Sequence, residues 1–287
     1  MGYKSSPRPV FDRPTHIPYA EVTRHVWGDA GAGLVDDLIY ASTDKIHQLV
    51  FSLAGGGNFK HSEDYRTVFG ADEVLYVLSG TFGAANPETG EVRVVQEGEA
   101  VFFRKDTWHH GFSLSDKPVR VLEYFSPPPS TGASGAYART RPYLETSTYR
   151  QERFIGRWPM AAEEEKQTAT IKLMRDADLL WELDPEDQGV ITGLYAATEH
   201  LESGKTTVLP GRKSSMITRK GDECLYVTSG CLHVLCPDRD GQVWFELNPG
   251  DGFFFPDGAR HQYANLRGEP ASFVYGVGPG LGVADGA

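Results

Sequence analysis

Short apolar runs, many of them alternating with polar positions or ending at a glycine-containing turn, make up the hydrophobic pattern of this chain. A period of two residues is typical of a strand that buries one face, and short runs bounded by glycine are typical of barrel or sandwich strands. The predicted strands are residues 48–53, 73–78, 91–95, 100–103, 119–125, 189–195, 223–228, 232–235, 243–247, 252–255 and 271–275. Many short strands at this spacing predict an all-β fold.

The strand pattern occurs twice along the chain. Residues 73–80 read Glu-Val-Leu-Tyr-Val-Leu-Ser-Gly, and residues 223–230 read Glu-Cys-Leu-Tyr-Val-Thr-Ser-Gly. Residues 98–103 likewise match residues 250–255, so the two blocks lie 150 and 152 positions from their counterparts. Two separate blocks at nearly one offset predict a duplicated domain, and 287 residues is a suitable length for two domains.

Composition divides the chain further. The stretch 126–135 is rich in proline, serine and glycine, which is typical of a linker. A helix is predicted within 161–180. Three consecutive glutamates lie near its start, where the helix dipole stabilises negative charge. The predicted segments are an N-terminal arm (1–39), a first β domain (40–126), a linker and partly helical connecting segment (127–188) and a second β domain (189–287).

The charge balance excludes some classes of function. The chain has 28 Lys and Arg against 39 Asp and Glu, a formal charge of −11, which argues against a general binder of nucleic acid or of anionic membranes. It has no apolar run near the roughly 18 residues of a membrane span and no apolar region typical of a signal peptide, so a cytoplasmic location is expected. Cys224, Cys231 and Cys236 form no Cys-x-x-Cys pair and are predicted to be inert free thiols.

Residues that carry chemistry recur at fixed spacing in the repeats. The second repeat contains Gly250, Pro256, Gly258, His261 and Asn265, and the first keeps Gly98 and His109 of this frame but has Arg104, Asp106 and Ser113 at the other positions. Upstream lie Gly55, His61, Glu63, Glu73 and Gly80 in the first repeat, and Gly211, Ile217, Arg219, Glu223 and Gly230 in the second. These motifs resemble those of cupin domains, and the whole chain resembles a bicupin. The resemblance implies two tandem cupin barrels of the jelly-roll type.

A metal site is predicted in the first barrel. Residues two apart on a strand face the same side, so His61 and Glu63 can both point inward, and the motif spacing selects His109 over His110. With Glu73, the barrel then gathers two imidazoles and two carboxylates, a set that suits one divalent first-row metal. Fe(II) is preferred because two histidines and one carboxylate with open positions are used by non-haem iron oxygenases, while Mn, Zn and Ni also fit. Either Glu63 or Glu73 is the ligand, and the other is a candidate catalytic base.

The second barrel is predicted to have a degenerate site. Of the motif ligands only Glu223 and His261 remain there, and Arg219 stands where the family has a metal-binding histidine. Arg219 is expected to pair with Glu223, or alternatively to form the fork of a pocket for a carboxylated ligand.

Three residues near the mouth of the first barrel are candidate substrate contacts. Tyr65 and Arg66 lie in the long spacer before Glu73, and Arg104 precedes His109. Trp108 and His110 are expected to be structural.

The predicted function is that of a metal-dependent bicupin enzyme, with Fe(II) dioxygenase chemistry on a small aromatic or carboxylated compound as the main hypothesis. One alternative is a redox-neutral isomerase, lyase or decarboxylase of a sugar or keto acid that uses Mn or Zn. Another alternative is a non-catalytic cupin that binds a small molecule. The resemblance also implies a homodimer or a higher homo-oligomer, in which the N-terminal arm could be exchanged.

Overall fold

The computed structural model describes residues 6–126 and 138–280. The strands up to the connecting segment are β1 (Thr15–Ile17), β2 (Thr23–Asp29), β3 (Gly33–Ser42), β4 (His47–Leu53), β5 (Asn58–Phe59), β6 (Thr67–Phe69), β7 (Asp72–Ser79), β8 (Thr81–Asn86), β9 (Glu91–Gln96), β10 (Ala100–Phe103), β11 (His110–Ser113), β12 (Val119–Ser126) and β13 (Ala138–Thr140). Those that follow are β14 (Lys172–Met174), β15 (Leu180–Leu183), β16 (Val190–Ala197), β17 (Glu202–Val208), β18 (Asp222–Ser229), β19 (Leu232–Leu235), β20 (Trp244–Leu247), β21 (Gly252–Phe255), β22 (Gln262–Ala264) and β23 (Ala271–Gly278). One helix, α1 (Ala162–Thr168), and three short 3₁₀ helices (Tyr19–Glu21, Glu152–Phe154 and Asp176–Asp178) accompany them.

Each half of the chain folds into a large and a small antiparallel sheet. The large sheet β14-β10-β7-β12-β4-β3-β2 and the small sheet β5-β11-β8-β9 enclose one core, and we call this unit the first barrel. The large sheet β1-β21-β18-β23-β17-β16-β15 and the small sheet β20-β19-β22 enclose another, the second barrel. The prediction of an all-β fold with two tandem jelly-roll barrels is therefore confirmed.

The two halves also exchange their first strands. β1 belongs to the N-terminal segment but pairs with β21 of the second barrel, and β14 belongs to the connecting segment but pairs with β10 of the first. The segment predicted as an arm, residues 1–39, thus supplies β1 to the second barrel and β2 with the start of β3 to the first. The strand that was expected to be available for exchange between subunits is paired within the chain.

The duplication extends to the register of individual residues. Glu123 lies opposite Leu75 on β7, and Tyr275 lies opposite Leu225 on β18. The bulge in β3 recurs at the corresponding place in β16. Equivalent positions can therefore be read from the ladder of backbone pairs. Those used below are Asp37/Thr192, Glu73/Glu223 and Glu123/Tyr275, and His109 corresponds to His261 through the shared motif spacing.

The central strands of the large sheets bury both of their faces, and this explains why these strands are nearly continuously apolar. On β12, Val121 points into the core of the first barrel, whereas Leu122 and Tyr124 belong to a third core shared by the two barrels. The hydroxyl of Tyr124 donates to the carbonyl of Val274 (2.8 Å), and its ring lies against Gly276, where a Cβ would come within 2.5 Å of it. The barrels are thus packed through a dry, specific interface.

Two predictions about the connecting segment have different outcomes. The helix predicted within 161–180 is limited to α1, because residues 172–174 are recruited as β14 and β-branched Thr170 and Ile171 precede them. Most of the predicted linker 126–135 lies outside the described residues.

Among the helices of the described part, none has the length and apolar character required to span a membrane.

Candidate metal and proton-transfer site

Two of the predicted site residues meet inside the first barrel. Glu73 is on β7 with its side chain in the core, and His109 immediately precedes β11. Nε2 of His109 lies 3.8 Å from Oε2 of Glu73. Nδ1 of His109 contacts the carbonyl of Thr107 at 3.3 Å, which directs the lone pair of Nε2 toward the carboxylate. Burial lowers the pKa of His109 to about 4, so its imidazole is neutral and available as a ligand.

A second carboxyl group, which the sequence analysis missed, lies beside Glu73. Glu123 is on β12 and is buried, and its carboxyl group hydrogen-bonds that of Glu73. Burial raises the pKa of Glu123 to about 7. It also raises the pKa of Glu73 well above its usual range, with the neighbouring Glu123 charge adding to the effect. Two carboxyl groups in such contact share a proton rather than ionise together.

Asp37 brings a third acid into the same interior. This residue of β3 is 7% exposed, and burial raises its pKa well above the usual range, with the charges of Glu123 and Asp36 as further causes. Alternation could have found Glu123, because it stands in an inward row with Val119, Val121 and Phe125 on β12. Asp37 gave no comparable signal, since β3 was not among the predicted strands.

The remaining predicted ligands lie elsewhere. His61 is outside a strand, with its ring centroid 3.9 Å from that of Trp108 and its Nδ1 2.9 Å from Nε2 of His110. His110 in turn contacts the hydroxyl of Tyr149 at 2.8 Å. Glu63 is exposed and lies in a bend. Because it is not part of a strand, its side chain does not alternate into the barrel as predicted. The structure therefore brings Glu73 and His109 together but not His61 or Glu63.

The backbone shows which residue occupies the position of the missing histidine. In the second barrel the amide of Gly258 donates to the carbonyl of Arg219 (3.0 Å), and in the first barrel the amide of Asp106 donates to the carbonyl of Phe69 (2.8 Å). Asp106 has φ +63° and Gly258 φ +77°, so the same left-handed turn is kept with an aspartate, a residue that tolerates it. Phe69 is therefore equivalent to Arg219, and its ring lies 6.2 Å from that of His109.

The candidate substrate contacts have structural partners. The hydroxyl of Tyr65 donates to the carbonyl of Gly28 (3.2 Å), and Tyr65 is buried against Trp27. Arg66 is partly buried, and its backbone carbonyl accepts from the amide of Arg141. Arg104 forms ion pairs with two carboxylates, Asp72 at 3.0 Å and Glu199 of the second barrel at 2.5 Å. Arg104 thus links the two barrels.

The second barrel fills the same interior with compensated charge. Nε of Arg219 lies 3.1 Å from Oε2 of Glu223, and its Nη1 lies 2.5 Å from Glu202. The hydroxyl of Tyr263 donates to Glu223 (2.5 Å), and that of Tyr275 donates to Glu202 (3.1 Å). The expected pairing of Arg219 with Glu223 is therefore seen in the geometry.

A cavity of about 370 Å³ opens beside this network and includes Glu202, Arg219, Tyr263 and Tyr275 in its lining. Because the guanidinium of Arg219 is already held by two carboxylates, the alternative of an anion pocket has little support in the charges.

Two donor atoms of the first barrel, Nε2 of His109 and Oε2 of Glu73, lie close enough together to serve as two ligands of one divalent cation. Oε2 of Glu73 is buried and has no hydrogen-bond partner in the described part of the chain, which leaves it oriented toward the histidine without compensation. Buried acids that lack a compensating charge are costly, and a bound cation removes that cost. A set of carboxylate oxygens with a single imidazole is harder than a two-histidine set and suits ions such as Mn²⁺.

Comparison with known proteins agrees with this architecture. A model of the cupin domain matches residues 69–125 and 204–277. The comparison with curated protein sequences found no match. Among solved structures, the putative glyoxylate-induced protein of Pseudomonas aeruginosa aligns with a TM-score of 0.64 and 13% identity, over 97% of this chain and 96% of that chain. The protein Ylba of E. coli gives a TM-score of 0.62 and 13% identity over 95% and 94%.

A mutant of the oxalate decarboxylase of Bacillus subtilis is also similar, with a TM-score of 0.58 and 12% identity over 97% of this chain and 80% of that chain. At such low identities the likeness concerns the fold and not the activity. Together with the matching strand register of the two repeats, the two domain matches show that this chain carries two cupin domains in tandem, the arrangement of a bicupin.

Proposed function

We propose that the chain is a metal-dependent enzyme whose active site is the interior of the first barrel. The reaction would be redox-neutral proton transfer on a small keto acid or sugar acid, as in an isomerase, lyase or decarboxylase. The observation that carries this proposal is the contact of the buried Glu73 and Glu123 carboxyl groups beside the neutral imidazole of His109.

Glu73 and His109 would hold the metal, with Mn²⁺ as the preferred ion. Both donor atoms are buried, and the tautomer of His109 is set by the contact of Nδ1 with the carbonyl of Thr107. A divalent ion supplies Lewis acidity toward a carbonyl or carboxylate oxygen of the substrate. The preference for a harder ion follows from the carboxylate-rich interior.

Glu123 would act as the general base and acid. In the metal-free protein the pKa of this carboxyl group is raised to about 7, which places it in the range of a group that both takes and returns a proton near neutral pH. Its neighbour Asp37 is buried in the same interior, where burial and the charge of Glu123 raise the pKa of its carboxyl group well above the usual range. Aromatic rings of Phe59, Phe69 and Phe103 lie 4.7 to 6.2 Å from the ring of His109, so the surroundings of the imidazole are largely apolar.

The Fe(II) dioxygenase hypothesis has weaker support from the geometry. It depended on a second histidine, and His61 is engaged with His110 and Trp108 instead. Consumption of oxygen with a panel of catechol, gentisate and diketone compounds would favour this second candidate. Anaerobic turnover of keto acids or sugar acids favours proton transfer.

The test combines metal analysis with anaerobic product analysis. The wild-type protein is expected to retain close to one metal ion per chain, and His109→Ala is expected to lose it. The matched variant His261→Ala, at the equivalent position of the second barrel, should keep the metal. Glu123→Gln should keep the metal but lower anaerobic turnover by about a hundredfold or more.

Other outcomes contradict the proposal. Wild-type protein without metal, combined with small-molecule binding that survives Glu73→Gln, would favour a non-catalytic binding protein. Loss of the metal in His261→Ala, but not in His109→Ala, would place the metal site in the second barrel instead of the first. The homodimer implied by the resemblance is a separate proposal, which light scattering of the purified chain tests.

A further inference from the structure

A second group of ligand-type side chains lies on the outer face of the second barrel. Cys231, His233 and Glu246 place one donor atom each within 4.8 Å of the other two. In the described ranges 6–126 and 138–280, this is the one group of three histidine, cysteine or acidic side chains that comes so close. This group was not predicted from the sequence, because Cys231 was expected to be inert and His233 has no ligand spacing with another histidine.

Strand pairing builds this group. His233 of β19 lies directly opposite Glu246 of β20, and Cys231 precedes His233 by two positions. The intervening residues Leu232 and Val234 point into the core of the second barrel. By alternation, Cys231 and His233 therefore share the outer face, with Glu246 beside them.

We propose that Cys231, His233 and Glu246 form a zinc site, which is distinct from the interior site of the first barrel. A thiolate, an imidazole and a carboxylate are the three ligand types that Zn²⁺ takes, and three protein ligands leave one position open for water. Ligand atoms on a tetrahedral zinc lie roughly 3.5 Å apart, so the observed spacing needs only small side-chain movements.

A cation already occupies the neighbourhood of the ligands. The guanidinium of Arg267 lies 2.6 Å from Glu246 and also hydrogen-bonds Cys231. Nε2 of His233 lies 3.4 Å from the same carboxylate oxygen. Arg267 is more than half exposed, so it can move into solvent when zinc arrives. The arginine shows that the cluster attracts positive charge, and it competes with the metal.

Binding has identifiable proton changes. Zinc replaces the thiol proton of Cys231, which is released to solvent. Coordination through Nε2 of His233 requires the ring proton at Nδ1, and it gives up the long 3.4 Å contact between Nδ1 and the amide of Leu266. Both changes are small compared with the strength of a zinc–thiolate bond.

The duplication provides an internal contrast. The residues of the first barrel at the equivalent positions are Thr81, Gly83 and Val94, where Gly83 lies opposite Val94 as His233 lies opposite Glu246. None of these three offers a zinc ligand of the required type. The proposed site therefore belongs to the second barrel alone, although β8 and β9 pair in the same register as β19 and β20.

Cobalt substitution gives the decisive test, because a thiolate ligand produces a near-ultraviolet charge-transfer band with Co²⁺ that carboxylate and imidazole ligands do not. Reduced full-length protein titrated with Co²⁺ should show this band, and Zn²⁺ should displace it. Cys231→Ser should abolish the band, and His233→Ala and Glu246→Gln should weaken Zn²⁺ binding at least about tenfold. Cys236→Ser, at a buried thiol of the same barrel, is the matched control and should leave the band unchanged.

Arg267→Gln distinguishes a built site from loose surface binding. Removal of the competing positive charge should tighten Zn²⁺ binding at least about threefold. Absence of a thiolate band in the wild type, or a band that persists in Cys231→Ser, overturns the proposal. Weaker or unchanged Zn²⁺ binding in Arg267→Gln also overturns it. Failure here leaves the first-barrel proposal untouched, because that site contains no thiol.

Discussion

The two barrels have the same backbone and opposite electrostatics inside. The first barrel buries Asp37, Glu73 and Glu123 around a neutral His109. The second has Thr192, Glu223 and Tyr275 at the equivalent positions of the three acids, and Arg219 stands where the first has Phe69. One barrel thus carries its own cation, whereas the other leaves its acids to be balanced by protons or by a metal. A duplicated fold can thus keep its packing while a few interior residues change the charge that has to be balanced inside it.

The largest expected effect follows from removal of the built-in cation. Arg219→Met leaves Glu202 and Glu223 without their partner, and loss of one member of a buried ion pair costs about 3 kcal/mol of unfolding free energy. Urea denaturation measures the loss. The double variant Arg219→Met with Glu223→Gln should recover part of it, and a single variant as stable as the wild type would refute the compensation.

The reverse exchange should convert the first barrel into a copy of the second. Phe69→Arg introduces a guanidinium next to Glu73 and His109, and we expect metal content to fall at least about tenfold. Elemental analysis measures this change. The matched variant Phe69→Leu keeps the site apolar and should retain the metal. Full metal content in Phe69→Arg would contradict the equivalence of Phe69 and Arg219.

The pH dependence of the metal-free protein should also reveal the uncompensated acids. The folded-state pKa of Glu123 is raised to about 7, so the folded protein binds more protons than the unfolded chain and stability falls as pH rises from about 4.5 through 7. The loss is up to about 3 kcal/mol for this group. Denaturation in chelator at pH 5 and pH 8 measures it. Glu123→Gln should flatten the profile, and an equally steep profile in that variant would contradict the assignment.

The smallest effect is expected at the rim between the barrels. Lys45 lies 2.8 Å from Asp257 and 3.4 Å from Asp222, but it is partly exposed. Exposed ion pairs contribute at most about 1 kcal/mol, so Lys45→Met should barely change the unfolding free energy. Metal content should not change at all. A large loss of stability would show that the rim pairs, rather than the dry interface of Tyr124 and its neighbours, hold the barrels together.

The sequence predicted the duplication and most large-sheet strands because these depend on local alternation. It also selected Glu73 and His109, because the motif fixes their distances along the chain from Gly80 and Gly98. The sequence matched His61 and Glu63 to the first part of the motif because they form the His-x-Glu triplet that precedes Glu73. In the structure, Phe69 of β6 occupies the motif position that was assigned to Glu63. Distance along the chain cannot show which of two segments enters the sheet.

Other site residues depended on pairing between strands. Glu123 follows from alternation on β12, but its contact with Glu73 needs the neighbouring position of β7. Cys231, His233 and Glu246 come together only through the register of β19 and β20. Register is set by the turn and by both inward faces, so it cannot be read from either strand alone.

The exchanged strands have a consequence for the order in which the chain can fold. Thr15 pairs with Phe254, so the second barrel's outermost strand comes from a segment synthesised more than two hundred residues before its partner. Contacts of such sequence separation form late and slow the folding of β proteins. A fragment that contains either repeat alone lacks a strand of its own large sheet and exposes the edge of β10 or β21 to other chains. We therefore expect the two barrels to fold and unfold together, even though the sequence divides into two repeats.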